Sequence, residues 1–313
     1  MAKKLITVIG ATGAQGGGLA RAILADPNGE FAVRAVTRKP DGEAARALAA
    51  AGAEVVKADL DDVASLRRAF DGAYGAYCMT NYWELMSPEK EIAQAKNLAD
   101  ATRASDVAHV VWSTLEDTRE RVPVDDPRMP TLFGRFKVPH FDAKGESDKH
   151  FDPARTTWFR TSFYWDNMIY FGMGPKPDER GQLGLILPMG DKKLPGIAVE
   201  DIGKCALGIF KRGASAIGRY IGVAGEHLTG AEMARALSHA LERPVVHRDL
   251  PPAIYRSLGF FGADDLGNMF QYKAEFEAEY CGARSIAESR ELNPELMTFS
   301  AWLAKHKSRI PLT

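Results

Sequence analysis

Three groups of residues in this 313-residue chain have types and spacings suited to chemistry. The first is Gly10-Ala11-Thr12-Gly13-Ala14-Gln15-Gly16-Gly17, a G-x-x-G-x-x-G turn. Between a strand and a helix, such a turn lets the backbone approach a pyrophosphate. The helix N-terminus then offers that anion free N–H groups and a partial positive charge. The second group is Arg38-Lys39, at the distance past the turn where an NAD-binding unit carries an acid for the ribose 2′-OH. Two cations there suit a 2′-phosphate instead, with Arg38 as a fork and Lys39 as a point charge. The alternative is a pair of solvated surface cations. The third group is His140 and Lys144, four apart and therefore on one helix face. His140 can give up a proton near neutral pH, or it can be a helix-start histidine bonded to backbone.

Other candidates carry less. Asp61-Asp62 and Asp125-Asp126 are adjacent pairs that nothing places across a scissile bond, and Asp61 or Asp62 suits a helix N-cap. His109 lies in an apolar strand without a ligand at metal spacing, which points to a structural histidine and predicts no metal site. Phe163, Tyr164, Trp165, Tyr170 and Phe171 would wall an apolar substrate pocket or simply fill core. Cys78 falls inside a strand and reads as buried and inert.

The elements that must position these groups alternate. Apolar, β-branched runs at residues 5–9, 31–36, 53–58, 74–79, 107–112 and 156–160 read as strands. Helical periodicity separates most of them, which predicts an α/β, Rossmann-type, doubly wound parallel sheet. Ligands of such sheets bind outside the carboxyl ends of the strands. An acid there, Asp59, can meet an adenine or its ribose. Residues 80–83, 113–114 and 161–165 exit the fourth, fifth and sixth strands. Residues 116–137 hold many charges, three prolines and no period, so they read as a mobile lid whose order depends on ligand. Past residue 166 the pattern turns mixed, with a small hairpin from 183–187 and 194–197. The expected division is 1–165 as the nucleotide-binding domain and 166–313 as a smaller mixed α/β C-terminal cap for substrate or partner.

Composition sets the outer limits. The chain is 45% hydrophobic and 26% charged, as in an ordinary globular protein. A net charge of -1 gives no bulk attraction to nucleic acid or anionic membrane. No apolar run is long enough to span a bilayer. Three scattered cysteines form neither a disulfide framework nor a metal spacing, so a cytoplasmic location is expected.

Four blocks in order, GATGAQGG, TNYWE at 80–84, VPHFDAKGE at 138–146 and LGFFGADDLGNMF at 258–270, resemble the NmrA-like proteins, atypical short-chain dehydrogenase/reductase relatives. The match is nearest to their redox-sensor branch. The resemblance implies an NADP(H) binder whose shape and partners respond to cofactor state. It implies Thr12 to Gly17 on the phosphates, Arg38 near the 2′-phosphate, and Asp59 and Leu60 by the adenine. Thr80, Asn81 and Tyr82 would follow the ribose, Lys144 the nicotinamide ribose, and Ser162, Phe163, Tyr164 and Trp165 the nicotinamide. Where the sensor branch carries a lysine after TNYWE, this chain has Ala93, with Lys96 one turn on.

Dehydrogenases of the wider superfamily pair a tyrosine with a lysine four residues later; here His140 takes the tyrosine's place. Ser113 has the position of their substrate-positioning hydroxyl, or bonds a loop. Two functions are compatible with this. The one that the resemblance and the missing tyrosine favour is a redox-sensing regulator with little or no dehydrogenase activity, acting through a protein partner and possible as a homodimer. The other is an NAD(P)H-dependent reductase of small apolar carbonyl, quinone or azo compounds, slow with ordinary alcohols and aldehydes.

Overall fold

The computed structural model describes residues 2–26 and 29–312. Its centre is a seven-stranded parallel sheet. The first six strands in sequence are β1 (Lys4–Val8), β2 (Phe31–Thr37), β3 (Glu54–Lys57), β4 (Gly75–Cys78), β5 (His109–Thr114) and β6 (Thr156–Arg160). Spatial order runs Tyr220–Gly222, β6, β5, β4, β1, β2, β3. The order reverses between β1 and β4, and that switch point opens a crevice at the strands' carboxyl ends. β4 and β5 are buried along their whole length, which is why they read as continuous apolar runs.

Helices α1 (Ala14–Leu24), α2 (Glu43–Ala50), α3 (Val63–Phe70), α4 (Tyr82–Leu85), α5 (Pro88–Ala104) and α6 (Pro139–Ser147) follow in turn. Asp62 caps α3 by accepting from the Ala64 and Ser65 amides. Ser87 caps α5, and Pro88 supplies a preset first turn. One core cluster holds Val36, Phe70, Leu98 and Trp112, and another holds Val8, Leu19, Val111, Ile202 and Phe210.

The 165/166 division does not follow the sheet. The chain beyond it supplies the seventh strand and the helix Val199–Arg212, which crosses α1. At that crossing a Cβ on Gly203 would sit 2.1 Å from the Gly18 carbonyl carbon, so the backbones touch. The rest of the C-terminal part forms a third core around Trp165, Phe270, Phe299 and Trp302. Two three-stranded sheets belong to it. The expected hairpin is absent: Leu183–Ile186 pairs with Val245–Arg248 and Lys176–Pro177, whereas Lys193–Ile197 pairs with Glu226–Thr229 and Phe163–Tyr164. Both runs are apolar enough to be central strands, so each takes two partners.

Residues 116–137 also depart from expectation. Val122, Met129 and Phe136 are buried, as is Lys137, whose ammonium donates to the Asp126 and Met129 carbonyls at 2.7 Å each. Asp142 of α6 accepts from the Thr118, Lys137 and Val138 amides. Arg119 joins Asp117 and Glu146, while Arg121 and Arg128 reach Glu279 and Glu275. The segment is a packed strap without an element of its own beyond one short turn of helix at Thr118–Glu120. Its charges looked solvated only because their partners lie elsewhere in the chain.

Candidate functional site

The glycine turn joins β1 to α1 at the switch point. Gly10 has φ +66°, which favours glycine, and a Cβ on Gly16 would lie 2.5 Å from the Ile9 carbonyl oxygen. Gly13 is the N-cap of α1, and no side chain bonds there. The first-turn N–H groups therefore lack a side-chain partner, as an anion site requires. Thr12, Gly13 and Ala14 are exposed at this mouth, and Gly16 and Gly17 are buried behind it.

Gln15 is the hub. Its Oε1 accepts from the Tyr77 hydroxyl at 2.6 Å and the Ser113 hydroxyl at 2.8 Å, and its Nε2 donates to the Tyr164 hydroxyl. One side chain thus ties the glycine turn to β4, to β5 and to the segment past β6. Burial pushes the Tyr77 and Tyr164 phenols up, so both are neutral near pH 7. Tyr77 was not among the expected residues; inside an apolar strand it carries no local signal.

Lys144 projects from α6 to the carboxyl ends of β4 and β5. Its ammonium donates to the Thr80 hydroxyl at 2.8 Å and the Thr80 carbonyl at 3.1 Å, and lies 3.2 Å from Glu91 Oε1. Thr80 donates to the same Glu91 oxygen at 2.6 Å. The Trp112 ring closes the other side at 5.2 Å. Glu91 is 1% exposed and its second oxygen has no partner. A carboxylate inside α5 gives no sequence signal for this role.

His140 begins the same helix. Its partner is not backbone, as one expectation had it, but a carboxylate: Nδ1 lies 2.5 Å from Asp265 Oδ1, across 125 residues of sequence. The carboxylate accepts, so Nδ1 carries the hydrogen and Nε2 is the remaining proton-exchanging atom. Trp83 and Tyr82 lie against the ring at centroid distances of 4.9 and 5.9 Å. The Tyr82 hydroxyl is buried without a hydrogen-bond partner. Asp265 lies in the first turn of the helix Ala263–Glu275 and was not among the expected residues, because an acid at a helix start carries no signal for a distant histidine.

At the β2 end, Arg38 is exposed and meets Glu84 of α4 at 2.6 Å. Lys39 is exposed beside it, its amide bonded to Thr37. Asp59 accepts from the Asp61 amide, the Leu60 carbonyl accepts from Asn97, and Asn81 is exposed at the start of α4. Past β6, the Ser162 hydroxyl is buried without a partner. Phe163 turns to Phe270 at 6.4 Å. Trp165 departs from the expected site: it is 1% exposed and packs on Phe299 and Trp302 in the C-terminal core. Tyr170 and Phe171 are exposed, so the five aromatics form no common wall.

His109 donates to or accepts from Thr157 at 2.9 Å, and burial lowers its pKa to about 4, so it is a neutral core residue. Cys78 is buried, which pushes its thiol up. Among the described residues, no group of three or more His, Cys, Asp or Glu could hold a metal, and no helix is long and apolar enough to cross a membrane.

A model described as the NmrA-like family matches residues 2–303. An NmrA-like family domain-containing oxidoreductase of Aspergillus sp. (strain MF297-2), notA, is 30% identical, with 97% of each chain covered. Another, FrzB of Cladobotryum sp., is 33% identical over 66% of this chain; the match spans 64% of that protein's length. Among solved structures, Nmra, a negative transcriptional regulator in complex with NADP, superposes with a TM-score of 0.76 over 97% of this chain and 95% of its own, at 23% identity.

Proposed function

This chain belongs to the NmrA-like family, and from that premise we propose that it is an NADP(H)-dependent oxidoreductase of small apolar carbonyl, quinone or azo compounds. The residues fit the cofactor. The uncapped start of α1 suits the pyrophosphate, and Arg38 with Lys39 suits a 2′-phosphate. Lys144 and Thr80 suit ribose hydroxyls, and the orphaned Ser162 hydroxyl suits an amide group beyond them. When bound, NADPH supplies the hydride.

The observation that carries the reading is the His140–Asp265 pair, one helical turn before Lys144. Asp265 holds the imidazole in one tautomer and orientation, which leaves Nε2 as the atom that can hold or pass a proton. That is the work the superfamily's tyrosine does from the same position. The packed strap at 116–137 adds to this, because a sensor reading wanted a loose segment there. A second reading, a cofactor-reporting regulator, draws on the Arg38–Glu84 contact. A 2′-phosphate competing for Arg38 would free Glu84 and with it α4, exposing a changed surface to a partner protein.

The test is NADPH consumption by purified protein against quinones, azo dyes and aldehydes, with His140→Phe beside it. We expect turnover with quinones or dyes, slower turnover with aldehydes, and a loss of about a hundredfold in kcat for the variant with cofactor affinity retained. No consumption with any acceptor would transfer the proposal to the regulator.

A further inference from the structure

The helix Ala263–Glu275 carries a buried lysine that the proposed chemistry does not use. Lys273 is 3% exposed. Its ammonium donates to the thioether of Met269 at 3.2 Å. Beyond that, among the described residues, it faces aromatic rings: Tyr280 at 5.3 Å, Phe141 at 5.4 Å and Phe270 at 5.8 Å. Among the described residues, no oxygen accepts from it. Cation–π contacts and a thioether replace only part of an ammonium's hydration, so this is an under-satisfied buried charge.

Its place in the fold is informative. Phe141 stands between His140 and Lys144 on α6. Phe270 packs on Phe163, just past β6. Tyr280 lies under Arg284 at 3.7 Å, and Arg284 donates to the Thr161 carbonyl and to Glu116, which follows β5. The cage therefore sits over the carboxyl ends of β5 and β6, where ligands of such a sheet bind. A run of edge-on rings connects it to the surface: Phe270 to Tyr255 at 5.6 Å, and Tyr255 to Phe260 at 5.5 Å, with Phe260 41% exposed.

From this placement we infer that Lys273 and the rings of Phe141, Phe270 and Tyr280 form a recognition site for planar aromatic compounds bearing an anionic oxygen. The rings take the flat apolar body, and the ammonium takes the anionic oxygen, which none of the described residues supplies. Met269, unbranched and adaptable, is the group that yields its place. Nearby charges do not compete for the ligand. Glu116 is engaged by Arg284 in a bidentate pair, and burial pushes the Tyr272 and Tyr280 phenols up so that both are neutral. The ammonium itself is held down to about 7, first by burial, then by Arg284, with Glu116 opposing. An anionic ligand is thus bound best at or below neutral pH. The inference deepens the oxidoreductase reading by naming a substrate class, and depends on that reading only for turnover.

The test compares two naphthoquinones, lawsone, ionised at pH 7, and menadione, uncharged. Binding to the NADP-saturated protein is read by quenching of tryptophan fluorescence, for wild type, Lys273→Met and Lys273→Arg. We expect wild type to prefer lawsone by about tenfold, Lys273→Met to lose that preference, and Lys273→Arg to retain part of it. The lawsone affinity of wild type should fall between pH 6 and 9, with menadione unaffected. Equal affinities in wild type, no binding of either quinone, or a lawsone preference that survives in Lys273→Met would each overturn the site. The wild-type pH series decides the matter even if a variant fails to fold, since a flat lawsone profile is also fatal. NADPH consumption is followed in parallel: binding as expected without consumption retains this site and removes the oxidoreductase reading.

Discussion

Lys144 of α6 and Lys273, which lies over Phe141 of the same helix, are both buried and are treated differently. Lys144 is surrounded by oxygen: Thr80, the Ser113 carbonyl and Glu91. Lys273 is surrounded by carbon and sulfur. A buried charge that is fully served contributes to a rigid, preorganised site, whereas one left short of partners lowers stability until something else serves it. The polar pocket therefore reads as the cofactor's, already built, and the aromatic cage as the substrate's.

The largest effect should come from removing the served charge. Lys144→Met strands Glu91, 1% exposed, without its cation. We expect a loss of about 3–5 kcal/mol in denaturant unfolding, with weakened cofactor binding. Little change in stability would mean that the pocket is not the preorganised one of the two.

Lys273→Met should act in the opposite direction, stabilising by about 1–4 kcal/mol at pH 7, because an apolar side chain of similar length replaces an ill-served charge. The pH dependence follows from linkage. The ammonium's pKa is about 7 folded against 10.5 unfolded. Between those values the unfolded chain holds more protons, so wild-type stability rises with pH across that window and is flat from this group below about 7. The variant should lack that rise, and its advantage should shrink toward pH 10. Thermal unfolding at pH 7, 8.5 and 10 checks both statements.

The smallest effect concerns the exposed Arg38–Glu84 pair, which contrasts with both buried lysines. Arg38→Ala should barely change stability, since surface pairs contribute about 0–1 kcal/mol. It should weaken NADPH by about ten- to a hundredfold while leaving NADH in place, as calorimetric titration would show. Equal losses for both cofactors would move the 2′-phosphate away from β2.

Much of the frame was legible in the sequence because its signals are local. Strand β6, read at 156–160, has those bounds in the structure, and α3 is capped by Asp62, one of the two aspartates expected there. Thr229 opens its helix with Glu232 completing a capping box. A glycine that needs positive φ, or a run buried on both faces, betrays itself within a few residues. Trp165 and the strap at 116–137 were misread for the converse reason. An aromatic next to a strand end looks the same whether it turns to the site or to Trp302. A run of charges looks solvated when Glu146, Glu275 and Glu279 are far along the chain.

The sheet, the glycine turn at its switch point, the cations after β2 and the family resemblance could all be read from the chain alone, since periodicity, φ requirements and short motifs are properties of neighbours. What each charge meets was settled by folding. His140 and Asp265 are 125 residues apart, Ser113 and Gln15 98, and Lys144 and Thr80 64. The amino-acid type of a lysine says that it carries an ammonium. Whether that ammonium is met by oxygen or by aromatic rings depends on which helices fold over it, and that difference separates the site that is already complete from the one that awaits a ligand.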